Sequence, residues 1–214
     1  MQLFQSLINF ILHIDKYLLQ IVNQYGMASY AILFAIIFME TGLVVTPFLP
    51  GDSLLFAAGA LSAQGAFSIW GLLILLVVAA FLGDTVNYWI GRFIGPKAFN
   101  SQSKFLKKEY LEKAQAFYEK HGGKAIVLAR FVPIVRTFAP FVAGIGKMHY
   151  TTFLSYNLIG GIAWVLSFTL MGFFFGNLPI IRDNFHYSVF AIVGLSLVPM
   201  IVEVIKSRQE ANQK

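Results

Sequence analysis

Long apolar stretches, several of them interrupted by charged residues and prolines, dominate the pattern along the chain. Residues 151–176 and 187–205 are the cleanest, and a third apolar stretch covers residues 69–95. Each approaches the roughly 20 apolar residues that a helix needs to cross a bilayer, so all three are predicted spans. Residues 30–63 and 125–146 are also apolar but contain charges and helix-breaking prolines. We predict that these two form hairpins rather than simple spans.

The remaining segments are more polar. Residues 99–123 repeat apolar positions at helical spacing among several lysines, which predicts an amphipathic helix. It would lie either on the anionic cytoplasmic membrane surface or in a solvated loop. Residues 1–25 predict an N-terminal helix that is either amphipathic or spanning, and the pattern does not decide between these. Residues 206–214 are predicted to form a tail.

Composition narrows the protein class. Hydrophobic residues make up 57% of the chain and charged residues only 12%. An ordinary soluble domain has about 25% charged residues, so the sequence predicts an integral membrane protein. The chain has no cysteine, which excludes thiol redox chemistry and thiolate metal sites.

The distribution of basic residues predicts the topology. The segment from Arg92 to Lys124 contains eight lysines and arginines, both ends included, which places this loop in the cytoplasm together with the C-terminal tail. Residues 177–186 are then outside. Under this arrangement, residues 125–146 must enter and leave the membrane on the cytoplasmic side. Residues 30–63 dip in from the outside, so both hairpins are predicted to be re-entrant.

The two halves of the sequence resemble each other. Residues 47–59 parallel residues 133–144, and each stretch ends in Ala-Gly. Gly91-x-x-x-Gly95 likewise parallels Gly172-x-x-x-Gly176. Proline-broken segments at corresponding positions are typical of inverted-repeat transporters. The predicted fold class is an all-α polytopic membrane protein, with two opposed re-entrant helical hairpins in an inverted repeat, spanning helices and an amphipathic surface helix.

The first hairpin contains two acidic residues at membrane depth. An ionised carboxylate at the bilayer centre costs about 2.5–3.5 kcal/mol, so Glu40 is predicted to face a polar cavity and to bind protons. Pro47, Pro50 and Gly51 are the predicted breakers of this hairpin. Asp52 is a second candidate proton site. It also fits the N-cap of a helix beginning near Ser53, and both interpretations remain open.

The second hairpin contains two arginines. Arginine does not lose its proton in proteins, so Arg130 and Arg136 require an anion or a wet cavity at this depth. Their planar guanidinium groups fit phosphate oxygens, which makes them the candidate ligands of a phosphate headgroup. Pro133 and Pro140 are the predicted breakers here, and a helix beginning after Thr137 would add free N–H groups. The alternative is that the arginines only pair with carboxylates as structural locks.

A polar face is predicted on the 69–95 span. Asp84, Asn87, Tyr88 and Gly91 recur at helical spacing and share one side of the helix. Such a face should point into the protein, where it would support the site. Asn157 on the following span is also assigned to this supporting set, most simply through an interhelical hydrogen bond.

Several motifs together resemble the DedA family, also called the SNARE-associated or VTT-domain family. The resemblance is carried by Phe38-Met-Glu40, Pro47-Phe-Leu-Pro50-Gly51-Asp52-Ser53, Gly83-Asp84-x-x-Asn87-Tyr88-x-x-Gly91-Arg92 and Ala129-Arg130-Phe-Val-Pro133-Ile-Val-Arg136. It implies a polytopic protein of the bacterial inner membrane with two opposed re-entrant helices. Members are linked to undecaprenyl phosphate recycling and to phospholipid movement that depends on proton motive force. The family's important acidic residues and arginines correspond to Glu40, Asp52, Arg130 and Arg136.

These observations converge on a transport hypothesis. We expect a flippase or translocase for a phosphate-bearing lipid, either undecaprenyl phosphate or a phospholipid, coupled to the proton gradient. A proton-coupled small-cation antiporter and a membrane scaffold with structural charges are the alternatives. We expect no enzymatic activity, because no histidine lies near the arginine hairpin in sequence and no paired-histidine metal motif is present. We also expect no metal, cofactor or nucleic acid. The sequence does not determine the oligomeric state, and a homodimer is one of the options.

Overall fold

The computed structural model describes residues 14–43, 51–94, 122–176 and 178–179. These residues are helical apart from turns and short connections, and none of them forms a strand. The predicted all-helical class is therefore confirmed for the described chain. In order, the helices are α1 (Ile14–Tyr25), α2 (Ala28–Gly42), α3 (Gly51–Ala63), α4 (Ile69–Ile94), α5 (Lys124–Ala129), α6 (Pro133–Ile145) and α7 (Tyr150–Phe175).

Helices α4 and α7 are the two described helices that are long and apolar enough to cross a membrane. Each has 26 residues, and they coincide with the spans predicted over residues 69–95 and 151–176. At 1.5 Å per residue, each reaches about 39 Å, against a hydrocarbon core about 30 Å thick. The predicted span 187–205, the predicted surface helix 99–123 and the tail lie outside the described residues.

The segment predicted to form the second hairpin has a helix break at the predicted proline. Helix α5 ends at Ala129 and α6 begins with Pro133. Val132 before it has an extended backbone with φ −118°, as expected for a residue that precedes proline. Proline fits the first helical position because the N–H group that it lacks would have no partner there.

Two details of this hairpin were predicted wrongly. Pro140 does not break the chain, because α6 continues through it to Ile145. An internal proline removes one backbone donor, and here the surrounding α6 residues are held against α4 by close backbone contacts. Thr137 likewise lies inside α6, so no helix begins after it.

The described chain divides into two compact units. The first unit contains residues 14–32, 51–74, 165–176 and 178–179, and the second contains residues 33–43, 75–94 and 122–164. In the first unit, α1 packs against α3, and in the second, α5 packs against α6.

Each unit packs a short helix against a long helix through glycines. In the first unit, a Cβ added at Gly59 of α3 would lie 2.0 Å from the carbonyl oxygen of Thr169 in α7. A Cβ added at Gly172 would lie 1.9 Å from the carbonyl oxygen of Phe56. Both distances are far below van der Waals contact, so the two backbones touch directly at these glycines.

The second unit repeats this contact. A Cβ added at Gly144 of α6 would lie 2.0 Å from the carbonyl oxygen of Tyr88, and one added at Gly91 of α4 would lie 2.0 Å from that of Phe141. In both units the glycine of each helix is three residues after the carbonyl that the partner glycine meets. The glycines that the sequence comparison paired thus occupy equivalent positions in the two units.

Candidate functional site

Glu40 and Arg136 form a buried ion pair in the second unit. Arg136 Nη2 donates to Glu40 Oε1, and the two side chains are 9% and 1% exposed. Glu40 lies near the C-terminal end of α2, and Arg136 lies in the first turns of α6 after the break at Pro133. A guanidinium group just after the helix break therefore lies against a carboxylate nearly one hundred residues away in sequence. A carboxylate partner for Arg136 is what the alternative interpretation of the arginines, as structural locks, predicts.

Arg130 forms a second buried pair. Its Nη2 atom donates to Asp84 Oδ2 at 2.5 Å and to Asn157 Oδ1 at 2.5 Å. A Cβ added at Gly160 would lie 3.0 Å from Arg130 Cδ, so the Gly160-Gly161 pair of α7 leaves the room that this side chain fills. The two partners and the tight fit hold Arg130 in one position.

Both guanidinium groups approach the same indole ring. The Cζ atoms of Arg136 and Arg130 lie 5.0 Å and 6.0 Å from the ring centroid of Trp164, which is 1% exposed. Cation–π attraction of this kind is worth about 2 kcal/mol or more when it is desolvated. Trp164 joins the two ion pairs, and we call Glu40, Asp84, Arg130, Arg136 and Trp164 together the charge cluster.

Asn87 connects the chain segments that carry the Glu40–Arg136 pair. Its Nδ2 atom donates to the carbonyl oxygen of Thr41 at 3.1 Å and to that of Thr137 at 2.8 Å. Thr41 follows Glu40, and Thr137 follows Arg136. The fully buried amide therefore fixes the two backbones at the positions next to both charged residues.

The predicted polar face of α4 is confirmed as an inward face. Asp84, Asn87 and Tyr88 are 3%, 0% and 0% exposed. Their partners differ, because the Tyr88 hydroxyl donates to the Met148 carbonyl rather than to the charge cluster. Asn157 makes the expected interhelical bond, with Nδ2 donating to the carbonyl oxygen of Phe81 in α4 at 3.1 Å.

Asp52 belongs to the first unit and is described there. It is 9% exposed and is the second residue of α3, which begins at Gly51 rather than near Ser53. A carboxylate in the first turn interacts favourably with the helix dipole. A shared role of Asp52 with the charge cluster stays a prediction. The breakers Pro47 and Pro50 lie outside the described residues.

Sequence reasoning gave no role to Trp164 or to the Gly160-Gly161 pair. Tryptophan in membrane proteins is enriched at the interfaces, so its position in the middle of a long apolar helix was a usable signal. Adjacent glycines in the same helix were a second signal, since glycine is unfavourable there unless something packs closely.

The charge cluster offers two kinds of chemistry. Its carboxylates accept protons, and its guanidinium groups bind anions with oxygen pairs such as those of phosphate. Among the described residues, no group of three or more histidine, aspartate or glutamate side chains could hold a metal ion.

Comparison with known proteins agrees with the motif pattern. The VTT domain matches residues 49–174, more than half of the chain. The chain belongs to the VTT-domain (DedA) family. It is 53% identical over 214 residues to protein DedA of Escherichia coli strain K12, covering 99% of this chain and 98% of that protein. No solved structure matches the chain significantly.

Other members of the VTT-domain family are membrane proteins by name. The chain is 44% identical over 195 residues to an uncharacterized membrane protein of Mycobacterium tuberculosis strain H37Rv, covering 88% and 86% of the two chains. It is 36% identical over 176 residues to the inner membrane protein YqjA of Escherichia coli strain K12, covering 82% and 79%. Together with α4 and α7, these relatives identify the chain as a membrane protein of the VTT-domain family.

Proposed function

We propose that this VTT-domain protein is a transporter that moves a phosphate-bearing lipid across the bacterial inner membrane and uses the proton gradient. The lipid would be undecaprenyl phosphate or a phospholipid. The observation that carries this proposal is the charge cluster, in which two arginines approach one tryptophan and each is paired with a carboxylate, all four charged side chains being less than 10% exposed. Arginine keeps its charge, so each buried guanidinium group needs an anion at all times.

Arg136 would pair in turn with the Glu40 carboxylate and with the lipid phosphate, and this exchange of anions would couple lipid movement to proton movement. When Glu40 takes up a proton, its charge disappears and Arg136 must find another anion, which the lipid phosphate supplies. When the phosphate leaves, the proton leaves Glu40 and the ion pair forms again. Arg130, which Asp84 and Asn157 already hold, would contribute a second positive charge to the phosphate without leaving its place.

The repeated glycine contacts support the proposed membrane arrangement. Each unit holds a short helix against a long one in the same way, as two related halves would. We propose that the short helices α3 and α6 belong to two opposed re-entrant hairpins in an inverted repeat. The protein would then be multi-pass, with the basic loop and the C-terminus in the cytoplasm. Asp52, in the equivalent hairpin, would be the second proton site.

Reconstitution tests the proposal directly. Purified protein in liposomes with labelled undecaprenyl phosphate or labelled phospholipid should move one of these lipids faster when a proton gradient is imposed. Folded protein that gives no movement above protein-free liposomes for either lipid would contradict the proposed function. Cation-dependent proton flux in vesicles that lack a carrier lipid would instead favour the antiporter.

The Glu40→Gln variant separates coupling from binding. Glutamine resembles the protonated acid, so this variant should bind the phosphate lipid at high pH and lose the response of transport to the gradient. Arg136→Gln is the matched variant and should lose binding at every pH. Equal loss of binding in both variants would contradict the exchange of anions at Arg136.

A scaffold function has its own supporting observation, because buried ion pairs can serve as structural locks. Exchanging the two charges in the double variant Glu40→Arg/Arg136→Glu distinguishes a scaffold from a transporter. A lock should be restored by the exchange, whereas a site that delivers a guanidinium group to phosphate from α6 should not be. The transport proposal assigns no bond-breaking step to the charge cluster, and release of phosphate from a lipid by purified protein would overturn it.

A further inference from the structure

Arg92 occupies a fixed position at the C-terminal end of α4, outside the charge cluster. Its Nη1 atom donates to the Tyr88 hydroxyl at 2.7 Å. Its Cζ atom lies 5.9 Å from the Tyr88 ring centroid and 5.8 Å from that of Trp89. An exposed arginine at the end of a spanning helix is normally free to move in water or headgroups. This one is held by a hydroxyl and two aromatic rings.

The same tyrosine connects Arg92 to the turn between α6 and α7. The Tyr88 hydroxyl, which accepts from Arg92, donates to the carbonyl oxygen of Met148 at 2.6 Å. The backbones also meet here, because a Cβ added at Gly144 near the end of α6 would lie 2.8 Å from the Arg92 backbone nitrogen. The Met148 carbonyl, next to Lys147 in sequence, is therefore linked to the Arg92 guanidinium group through two hydrogen bonds of the Tyr88 hydroxyl.

Lys147 in this turn has an unusual backbone conformation. It is the only described residue other than glycine with positive φ, at 53°. The turn ends α6 as a Schellman motif, in which the Lys147 N–H donates to the Gly144 carbonyl and the Met148 N–H donates to the Ala143 carbonyl, both at 3.0 Å. The left-handed position of this motif usually holds glycine, because a Cβ there is unfavourable by about 1–2 kcal/mol.

Helix α3 ends in the same motif with the usual residue. Gly65 has φ 86°, and its N–H donates to the Ser62 carbonyl at 3.0 Å. The Ala66 N–H donates to the Leu61 carbonyl at 3.0 Å. The chain thus uses glycine where the motif needs no side chain and lysine at the turn beside Arg92. A basic residue near a helix C-terminus interacts favourably with the helix dipole. A lysine in the last turn of α6 would provide this interaction without a left-handed backbone, so the dipole does not explain Lys147.

Aromatic side chains flank the two basic residues. Trp89 lies 5.2 Å from Tyr150 and 5.5 Å from Phe93 between ring centroids, and Phe93 is 82% exposed. Aromatic side chains beside basic ones are typical of the region where a helix leaves the hydrocarbon core. Neither Arg92 nor Lys147 is ion-paired with another residue that the structure describes.

We propose that Arg92 and Lys147 together bind the headgroup phosphate of an anionic phospholipid, with Trp89, Phe93 and Tyr150 against its glycerol and upper acyl region. We call these five residues the collar site. The fixed guanidinium group presents its remaining N–H donors to phosphate oxygens, and the lysine adds a second charge. The occupant is a resident membrane lipid rather than the transported one, so the collar site does not depend on the proposed transport function.

Lipid binding to the purified full-length protein tests this. The delipidated protein in a neutral detergent would be titrated with phosphatidylglycerol or with phosphatidylcholine of the same acyl chains, and binding followed by native mass spectrometry. The wild type should bind phosphatidylglycerol more tightly. Each basic residue near an anionic lipid contributes about 1 kcal/mol, so Arg92→Gln and Lys147→Gly should each weaken this binding about fivefold. The double variant should weaken it by about 30-fold.

Lys147→Gly also controls for folding. Glycine suits the left-handed position, so this variant should melt at the same or a higher temperature than the wild type without lipid while it loses affinity. Lys206→Gln removes the same charge from the C-terminal part of the chain and should bind normally. Three outcomes would each overturn the collar site: unchanged affinity in the double variant, equal binding of both lipids by the wild type, or full competition by inorganic phosphate.

Discussion

Each buried arginine in the charge cluster is tolerated because a carboxylate accompanies it. Removing one partner leaves an uncompensated buried charge, whereas replacing both partners with apolar side chains of similar size leaves no buried charge. We therefore predict that Asp84→Leu alone lowers the free energy of unfolding by about 3–5 kcal/mol, since Arg130 then lacks its carboxylate. Adding Arg130→Met should recover part of this loss. Unfolding in mixed detergent micelles, monitored by circular dichroism, measures both values.

The control for this cycle is Leu82→Ala, on the exposed side of α4, which should change stability little in detergent. If the double variant is as unstable as the sum of the two single variants, the pair is not coupled. That result would contradict the assignment of Arg130 to a buried pair with Asp84.

Asn87 acts through the backbone rather than through a charge. Its amide serves two buried carbonyl groups, and losing a partner costs about 1–3 kcal/mol for each buried group that is left without one. We predict that Asn87→Ala destabilises the protein by about 2–6 kcal/mol, and that Asn87→Asp does so at least as much because a carboxylate cannot donate. Val86→Ala on the exposed face of the same helix is the control. Near-wild-type unfolding of both Asn87 variants would show that the two hydrogen bonds do not hold these segments.

At the scale of the elements, the glycine contacts determine which substitutions the helices accept. Gly91 and Gly71 both lie in α4, but a Cβ at Gly91 would overlap the Phe141 carbonyl oxygen at 2.0 Å, while the nearest atom to one at Gly71 is 3.7 Å away. We predict that Gly91→Ala lowers the melting temperature of the protein in detergent. Gly71→Ala should maintain or raise it, because alanine is favoured over glycine in a helix by about 1 kcal/mol.

The same comparison applies in the first unit, where Gly59→Ala and Gly172→Ala should also be destabilising. If the alanine variants at positions 91, 144, 59 and 172 all melt like the wild type, close backbone packing is not what holds the short helices in place.

Sequence patterns predicted the helices better than their interruptions. The long apolar helices α4 and α7 were predictable because length and apolar composition alone indicate them, and the break at Pro133 was predictable because proline suits a helix start. The continuation of α6 through Pro140 could not be predicted from the sequence, since it depends on packing against α4. In the charge cluster, Glu40 and Arg136 could be selected from the sequence because a charged side chain inside a membrane segment costs free energy and is therefore rarely present without a function. Their specific partners depend on tertiary contacts that no local pattern encodes.

At the scale of the whole molecule, the equivalent glycine contacts of the two units are what two related halves would produce. The proposed topology adds a constraint, because two hairpins that enter the membrane from opposite sides would each return to the side from which they entered. The chain has no cysteine, so single cysteines can be introduced to report the side of each turn, and no native cysteine has to be removed first. Met27, Gln64, Lys124, Lys147 and Leu178 are exposed positions at or near helix ends.

We predict that a membrane-impermeant maleimide applied to intact cells labels cysteines at positions 27, 64 and 178. Cysteines at positions 124 and 147 should react only after the inner membrane is permeabilised, since both flank the hairpin that we propose begins and ends in the cytoplasm. The decisive comparison is between positions 124 and 147, because a segment that crossed the membrane once would place them on opposite sides. Labelling of only one of these two positions from outside would show that α5 and α6 form a span, and the re-entrant arrangement of this half would be wrong.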